Sequence, residues 1–213
     1  MLCVAVATSC RRQTARVVRA TSTRGIWGHR LSGSLGAMTL DWAQLADELV
    51  AGAVGWISQT VADRPDTKFV AAAVHKPYTD QIGVIYLGGM ALLTEEEHDK
   101  LGEDLWLATD WEHQVDWWIP QERFSHWEAE LGTLDVMTAL ADPPRDYESQ
   151  TYDALVDVLV DVARRTRDQL EADGTVDQDF VIVVIDSDDD YQVALTCLRP
   201  GEAGRWFPNE AAV

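Results

Sequence analysis

Lysine is close to missing from this chain of 213 residues. Three Lys and 14 Arg face 36 Asp and Glu, a net charge of −19. A surface so short of cations repels nucleic-acid backbones and anionic membranes, and it attracts basic partners or metal ions. Nucleic acid and membrane are thus not expected among its partners. Cysteine is scarce as well: Cys3 and Cys10 sit near the start and Cys197 stands alone in the body. No disulfide framework can form there, which points to a reducing compartment and a cytoplasmic protein. No apolar run approaches the ~20 residues that a membrane-spanning helix needs.

The motifs of common catalytic folds are absent too. The chain has no GxxxxGK[ST] phosphate loop, no GxGxxG after a strand, no HExxH, no paired CxxC and no GxSxG elbow. Nucleotide and zinc chemistry lose their sequence support, and no cofactor is expected. Gly88 and Gly89 follow an apolar stretch but open no helix, so they read as a turn.

What is present is divided unevenly. Residues 1–37 contain six Arg and no acid, with Ser and Thr throughout, which leaves 11 bases against 36 acids, a net of −25, in residues 38–213. The basic, acid-free stretch has the composition of an organellar transit peptide. The switch of charge and period at Met38 equally fits a gene start placed too far upstream, or a disordered tail. A secretory signal does not fit, because the short apolar stretch precedes the Arg cluster instead of following it. The boundaries drawn are a basic leader over 1–37 and a single acidic domain over 38–213, of ordinary size for one core.

Within the domain, Leu45, Leu49, Ala53, Trp56 and Thr60 recur at three- and four-residue steps, which predicts a helix from Leu40 to Asp63, closed by DRPD. KFVAAAVH (68–75) and IGVIYLG (82–88) are short apolar runs joined by KPYTDQ, the pattern of a hairpin. Thr94 and Glu97 have capping-box spacing and open a short helix to about Gly102. Residues 104–127 carry five of the nine Trp. Such a cluster either lids the core or forms an exposed anchor surface. Helices are predicted over 125–142, stopped by Pro143 and Pro144, and over 147–172, with Tyr152, Val156, Leu159, Val160, Ala163 and Leu170 inward. On another face of the second, Asp153, Asp157 and Asp161 stack at four-residue steps and Arg165 follows. A strand over 180–185 and a helix with Tyr191, Ala194, Leu195 and Leu198 on one face complete the chain. This order gives an α+β fold, a small, mainly antiparallel sheet covered by helices in a single domain.

No two of the five histidines stand at i+3 or i+4, so each reads as a structural or solvated side chain. Cys197, among apolar neighbours, reads as a buried, inert thiol. One segment invites a chemical reading: DFVIVVIDSDDDY (179–191), where the strand runs into Asp186, Asp188, Asp189 and Asp190. Asp186 and Asp188 alternate as in a DxD metal clamp. A Mg²⁺ or Mn²⁺ ion held there, with His113 as a further group, would make a metal-dependent hydrolase or transferase. The same residues have a second explanation. Ser187 and Asp190 have S-x-x-D spacing, and carboxylates in a first helical turn are favoured by free N–H groups and the dipole by ~0.3–1 kcal/mol each.

VIVVIDSDDDYQVALTCLRP, together with LDWAQLADELV, FVAAAVH, LTEEEHDKL and the Trp-rich segment, resembles an uncharacterised, largely bacterial family catalogued as domain of unknown function 4303. The resemblance covers roughly Leu40 to Phe207. The family tends to place Asn-Thr before the acidic helix start and Leu-Asn-Pro near the end, where this chain has Leu93-Thr94 and Leu198-Arg199-Pro200. Any shared site built on those Asn side chains is therefore altered here. The family brings no established reaction. Small acidic families of this kind are similar in style to immunity proteins that neutralise secreted toxins, which is an analogy.

The expected function is a non-enzymatic binding protein that engages a basic protein partner, with Asp153, Asp157, Asp188 and Asp189 as the contact residues and no catalytic residue assigned. Residues 146–190 carry 14 acids and three Arg. Opposite charge speeds encounter and sets register more than it adds affinity. The alternative is the metal-dependent enzyme at Asp186 and Asp188. A structural or regulatory domain without a dedicated ligand is the third reading.

Overall fold

A computed structural model describes residues 40–79, 85–101, 108–139, 147–185 and 191–208. The expectations for residues 1–37 lie outside these. Helix α1 (Trp42–Asp63) starts where the Asp41 carboxylate accepts the Gln44 N–H at 3.0 Å, satisfying a donor that the first turn would leave open. Leu45, Leu49, Ala53, Ile57 and Thr60 are buried along one stripe, with Trp56 only half-buried, so the expected inner face holds with Ile57 in place of Trp56. That face packs against α4 (Tyr147–Ala172), whose Leu155, Leu159, Ala163 and Leu170 are buried in turn.

The predicted hairpin is corrected. β1 (Phe69–His75) does not pair with the described part of that run, residues 85–88. Its antiparallel neighbour is β4 (Met90–Thr94), in the register Ala72 to Leu92 and Val74 to Met90. Between them a small ribbon, β2 (Tyr78–Thr79) with β3 (Ile85–Tyr86), extends the connection, and its two tyrosine rings stack at 5.1 Å. The physical reason is burial. Phe69 to Val74 of β1 and every residue of β4 are buried in succession, which requires cover on both faces of the sheet, and the uninterrupted MALLT satisfies that.

Helix α2 (Glu95–Leu101) follows with the capping box formed: the Glu97 N–H donates to Thr94 Oγ1 at 3.1 Å and the Thr94 N–H donates to Glu97 Oε2 at 2.9 Å. Next come β5 (His113–Val115), α3 (Gln121–Ala139), α4, β6 (Val181–Ile185), α5 (Gln192–Cys197) and α6 (Ala203–Trp206). The four-stranded sheet has the order β5-β4-β1-β6. Two of its pairings are antiparallel, but β6 returns beside β1 in parallel after the long helices, so the α+β sheet is mixed. Of the Trp-rich segment, Trp111, Trp118 and Trp127 are buried, while Trp117 is exposed.

Candidate functional site

Strand direction assembles the site. β4 runs against both β1 and β5, and β6 runs with β1, so β1, β5 and β6 share one direction. Register places Val115, Met90, Val74 and Val184 on one level. The three carboxyl ends therefore reach the same edge of the sheet, where the chain leaves through His75 and Lys76, through Asp116, and beyond Ile185. The edge is knitted by backbone bonds, the His75 N–H donating to the Gly89 carbonyl at 2.9 Å and the Lys76 N–H to the Ile185 carbonyl at 2.8 Å. A cleft of about 700 Å³ opens here, lined by His75, Lys76, Tyr78, Asp116, Trp117, Glu128 and Ile185 among others. Carboxyl ends of co-directional strands are a recurrent place for such ligand-sized clefts.

Gly88 and Gly89 also line the cleft, and their role is closer than that of a turn. A Cβ on Gly88 would stand 2.2 Å from the His75 carbonyl oxygen, and one on Gly89 2.6 Å from that of Val115. Only glycine lets the chain pass this close to two strand ends. The Gly88 carbonyl in turn accepts the Trp118 indole N–H at 3.1 Å, which anchors the segment carrying Asp116 and Trp117.

The cleft's chemistry is mixed. Burial pushes the His75 imidazole below its ordinary value, opposed by the nearby Asp116 carboxylate. Burial pushes the Glu128 carboxyl up, opposed by the Leu87 N–H that it accepts. The Lys76 ammonium sits 5.4 Å from the centre of the Tyr152 ring, which joins the cleft to the first half of α4. Tyr78 and Trp117 are the two large hydrophobic side chains most exposed among the described residues, 60% and 51%, and both line this cleft.

The sequence-predicted residues fall differently. Asp153 and Asp157 are exposed on α4, one turn apart, and make no ion pair with a described residue, whereas Asp161 pairs with Arg165 at 3.3 Å. Asp186, Asp188 and Asp189 lie outside the described residues, as do Ser187 and Asp190. His113 sits on β5, away from the end of β6. It is level with Leu92, Ala72 and Ile182, three strand spacings or about 14 Å from β6 and three residues or about 10 Å short of its end. Its ring instead meets Phe69 edge-on at 5.3 Å. Among the described residues, no group of three His, Cys, Asp or Glu is arranged to hold a metal. Cys197 is buried, and burial raises its thiol.

Sequence reasoning missed the cleft residues His75, Asp116, Trp117 and Glu128. The available signal was a double glycine beside an apolar strand that ends in His75. A second cluster, also missed, has a structural role. Arg167 is 2% exposed, with Glu171 at 2.8 Å, Glu202 at 2.6 Å and the Gln178 carbonyl at 3.0 Å around its guanidinium, and it staples the C-terminal segment to α4. No helix among the described residues is long and apolar enough to cross a membrane. No family model, curated protein or solved structure matches this chain.

Proposed function

We propose that the chain is a non-enzymatic binding protein for a basic protein partner, working in the cytoplasm in the manner of an immunity protein. The observation that carries this is the pair Asp153 and Asp157, exposed one turn apart on α4 without a described counter-ion, on a chain with 36 acids and 17 bases. Neighbouring acids are already spoken for: Asp168 bonds Arg199 at 2.6 Å and Asp47 bonds Arg165 at 2.5 Å. Carboxylates left solvated on a rigid helix steer a cationic surface into register at little desolvation cost. The resemblance to the acidic bacterial family belongs to the same proposal. The test is capture of a partner at low salt, followed by titration of the purified pair. Neutralising Asp153, Asp157, Asp188 and Asp189 to Asn together should weaken the complex about tenfold or more, mainly by slowing association. Recovery of no partner, or of one indifferent to the quadruple change, overturns the proposal.

A second reading places an enzyme in the cleft. His75 and Glu128 line one cavity, and burial lowers the imidazole and raises the carboxyl; burial-shifted titratable groups in a cleft are candidates for acid–base work. In its metal-dependent form, with Asp186 and Asp188 as ligands, Mg²⁺ or Mn²⁺ should raise the melting temperature, and Asp186→Asn should abolish that rise.

A further inference from the structure

We propose that the cleft at the strand ends captures a single arginine side chain of the basic partner, its guanidinium lying against the exposed rings of Trp117 and Tyr78 and bonding the Asp116 carboxylate. This deepens the binding-protein reading and rests on it. Three observations meet in one place. The two most exposed large hydrophobic side chains among the described residues both line this cleft, so its mouth is aromatic. Asp116 lines it too, is exposed, and makes no ion pair with a described residue. Glu128 contributes a second carboxyl, fixed by the Leu87 N–H.

The alternatives fit less well. An anionic ligand would enter against two carboxylic side chains on a chain of net charge −19. An apolar ligand would strip water from Asp116 and Glu128 without replacing its hydrogen bonds. An ammonium group is a compact, strongly hydrated charge. A guanidinium is planar and weakly hydrated, stacks on aromatic faces, and offers paired donors to a carboxylate. The cleft's rings and carboxylate suit the second. Lys76 also lines the cleft, with its ammonium 5.4 Å from the centre of the Tyr152 ring.

The test uses the whole chain and a short capped peptide with one arginine among glycines, followed by the NMR signal of the Trp117 indole N–H, identified by its loss in Trp117→Phe. The arginine peptide should shift that signal saturably. Replacing arginine by its neutral isostere citrulline should weaken binding about tenfold, and by lysine about threefold or more. Asp116→Asn should weaken it about threefold or more, while Asp173→Asn, exposed just past the C-terminal end of α4 and not lining the cleft, leaves it within about twofold. An unmoved Trp117 signal, a citrulline or lysine peptide that binds as well, or an indifferent Asp116→Asn overturns the proposal. Capture of a partner through α4 with a silent cleft sinks this inference alone. A responsive cleft in a chain that captures no basic protein sinks the binding-protein reading instead.

Discussion

At the scale of residues, two glycines in α1 make opposite predictions. A Cβ on Gly52 would stand 2.2 Å from Ile119 Cγ2 and 2.4 Å from the Trp118 carbonyl oxygen, because α1 crosses the Trp118–Ile119 backbone there. Gly52→Ala should destabilise the fold by about 1–3 kcal/mol in urea unfolding. Gly55, exposed with nothing within 4 Å, should gain about 0.5–1 kcal/mol from the same change, since alanine loses less entropy in a helix. Glu48 offers a pH prediction. Arg123 bonds it through two nitrogens, the Trp127 indole N–H donates to it at 2.9 Å, and these outweigh burial to hold its pKa at about 2, below the ordinary 4.5. A depressed carboxyl stabilises the fold fully above the ordinary value and loses that contribution as pH falls toward 2. Glu48→Gln should cost about 1 kcal/mol at neutral pH, the screened worth of a partly exposed pair, and the two proteins should converge in urea midpoint as pH drops through that window.

At the scale of elements, the outcome depended on how much local signal each segment carries. The bounds of α4 were legible, because an apolar stripe of this length fits one period only, although the structure buries Leu155 and Val162 and leaves the expected Tyr152 and Val156 half-buried; the Thr94 to Glu97 box was legible because its two hydrogen bonds close within four residues. β4 was not, since IGVIYLG and MALLT are both short and apolar, and long-range pairing decides between them. Arg167 was hidden for a related reason. It lies on the inner stripe between Ala163 and Leu170, where its charge argues for solvent, and its counter-ion Glu202 is 35 residues away. Arg167→Met should destabilise the fold by about 1–3 kcal/mol by taking its charged hydrogen bonds from the partly buried Glu171 and Glu202 carboxylates, which keep only Arg199 among the described residues. The segment 199–207 should then exchange its amide hydrogens faster, because the Arg199 N–H bonded to Glu202 belongs to the same staple. Unchanged exchange there would mean that the staple does not hold the segment.

At the scale of the whole molecule, charge dominates. A net of −19 repels itself in the compact state. Raising salt from roughly 0.01 to 0.15 M shortens the screening length from about 30 to 8 Å and should raise the melting temperature by about 2–4 °C, measured by scanning calorimetry. A fall would mean that surface ion pairs such as Lys68 with Glu95 outweigh the repulsion. This net charge, the helices with a long apolar stripe and the capping box could be read from the chain alone, because composition and nearest-neighbour periodicity are local properties. So could the exposure of Asp153 and Asp157, since a four-residue step opposite an apolar stripe puts a side chain in water. Long-range packing, by contrast, set which run pairs with β1, the parallel return of β6, and the meeting of the ends of β1, β5 and β6. Those three ends come from His75, Val115 and Ile185, separated by tens of residues, and their common direction depends on pairings that no local pattern encodes. The cleft with Trp117, Asp116 and Glu128 exists because of that direction.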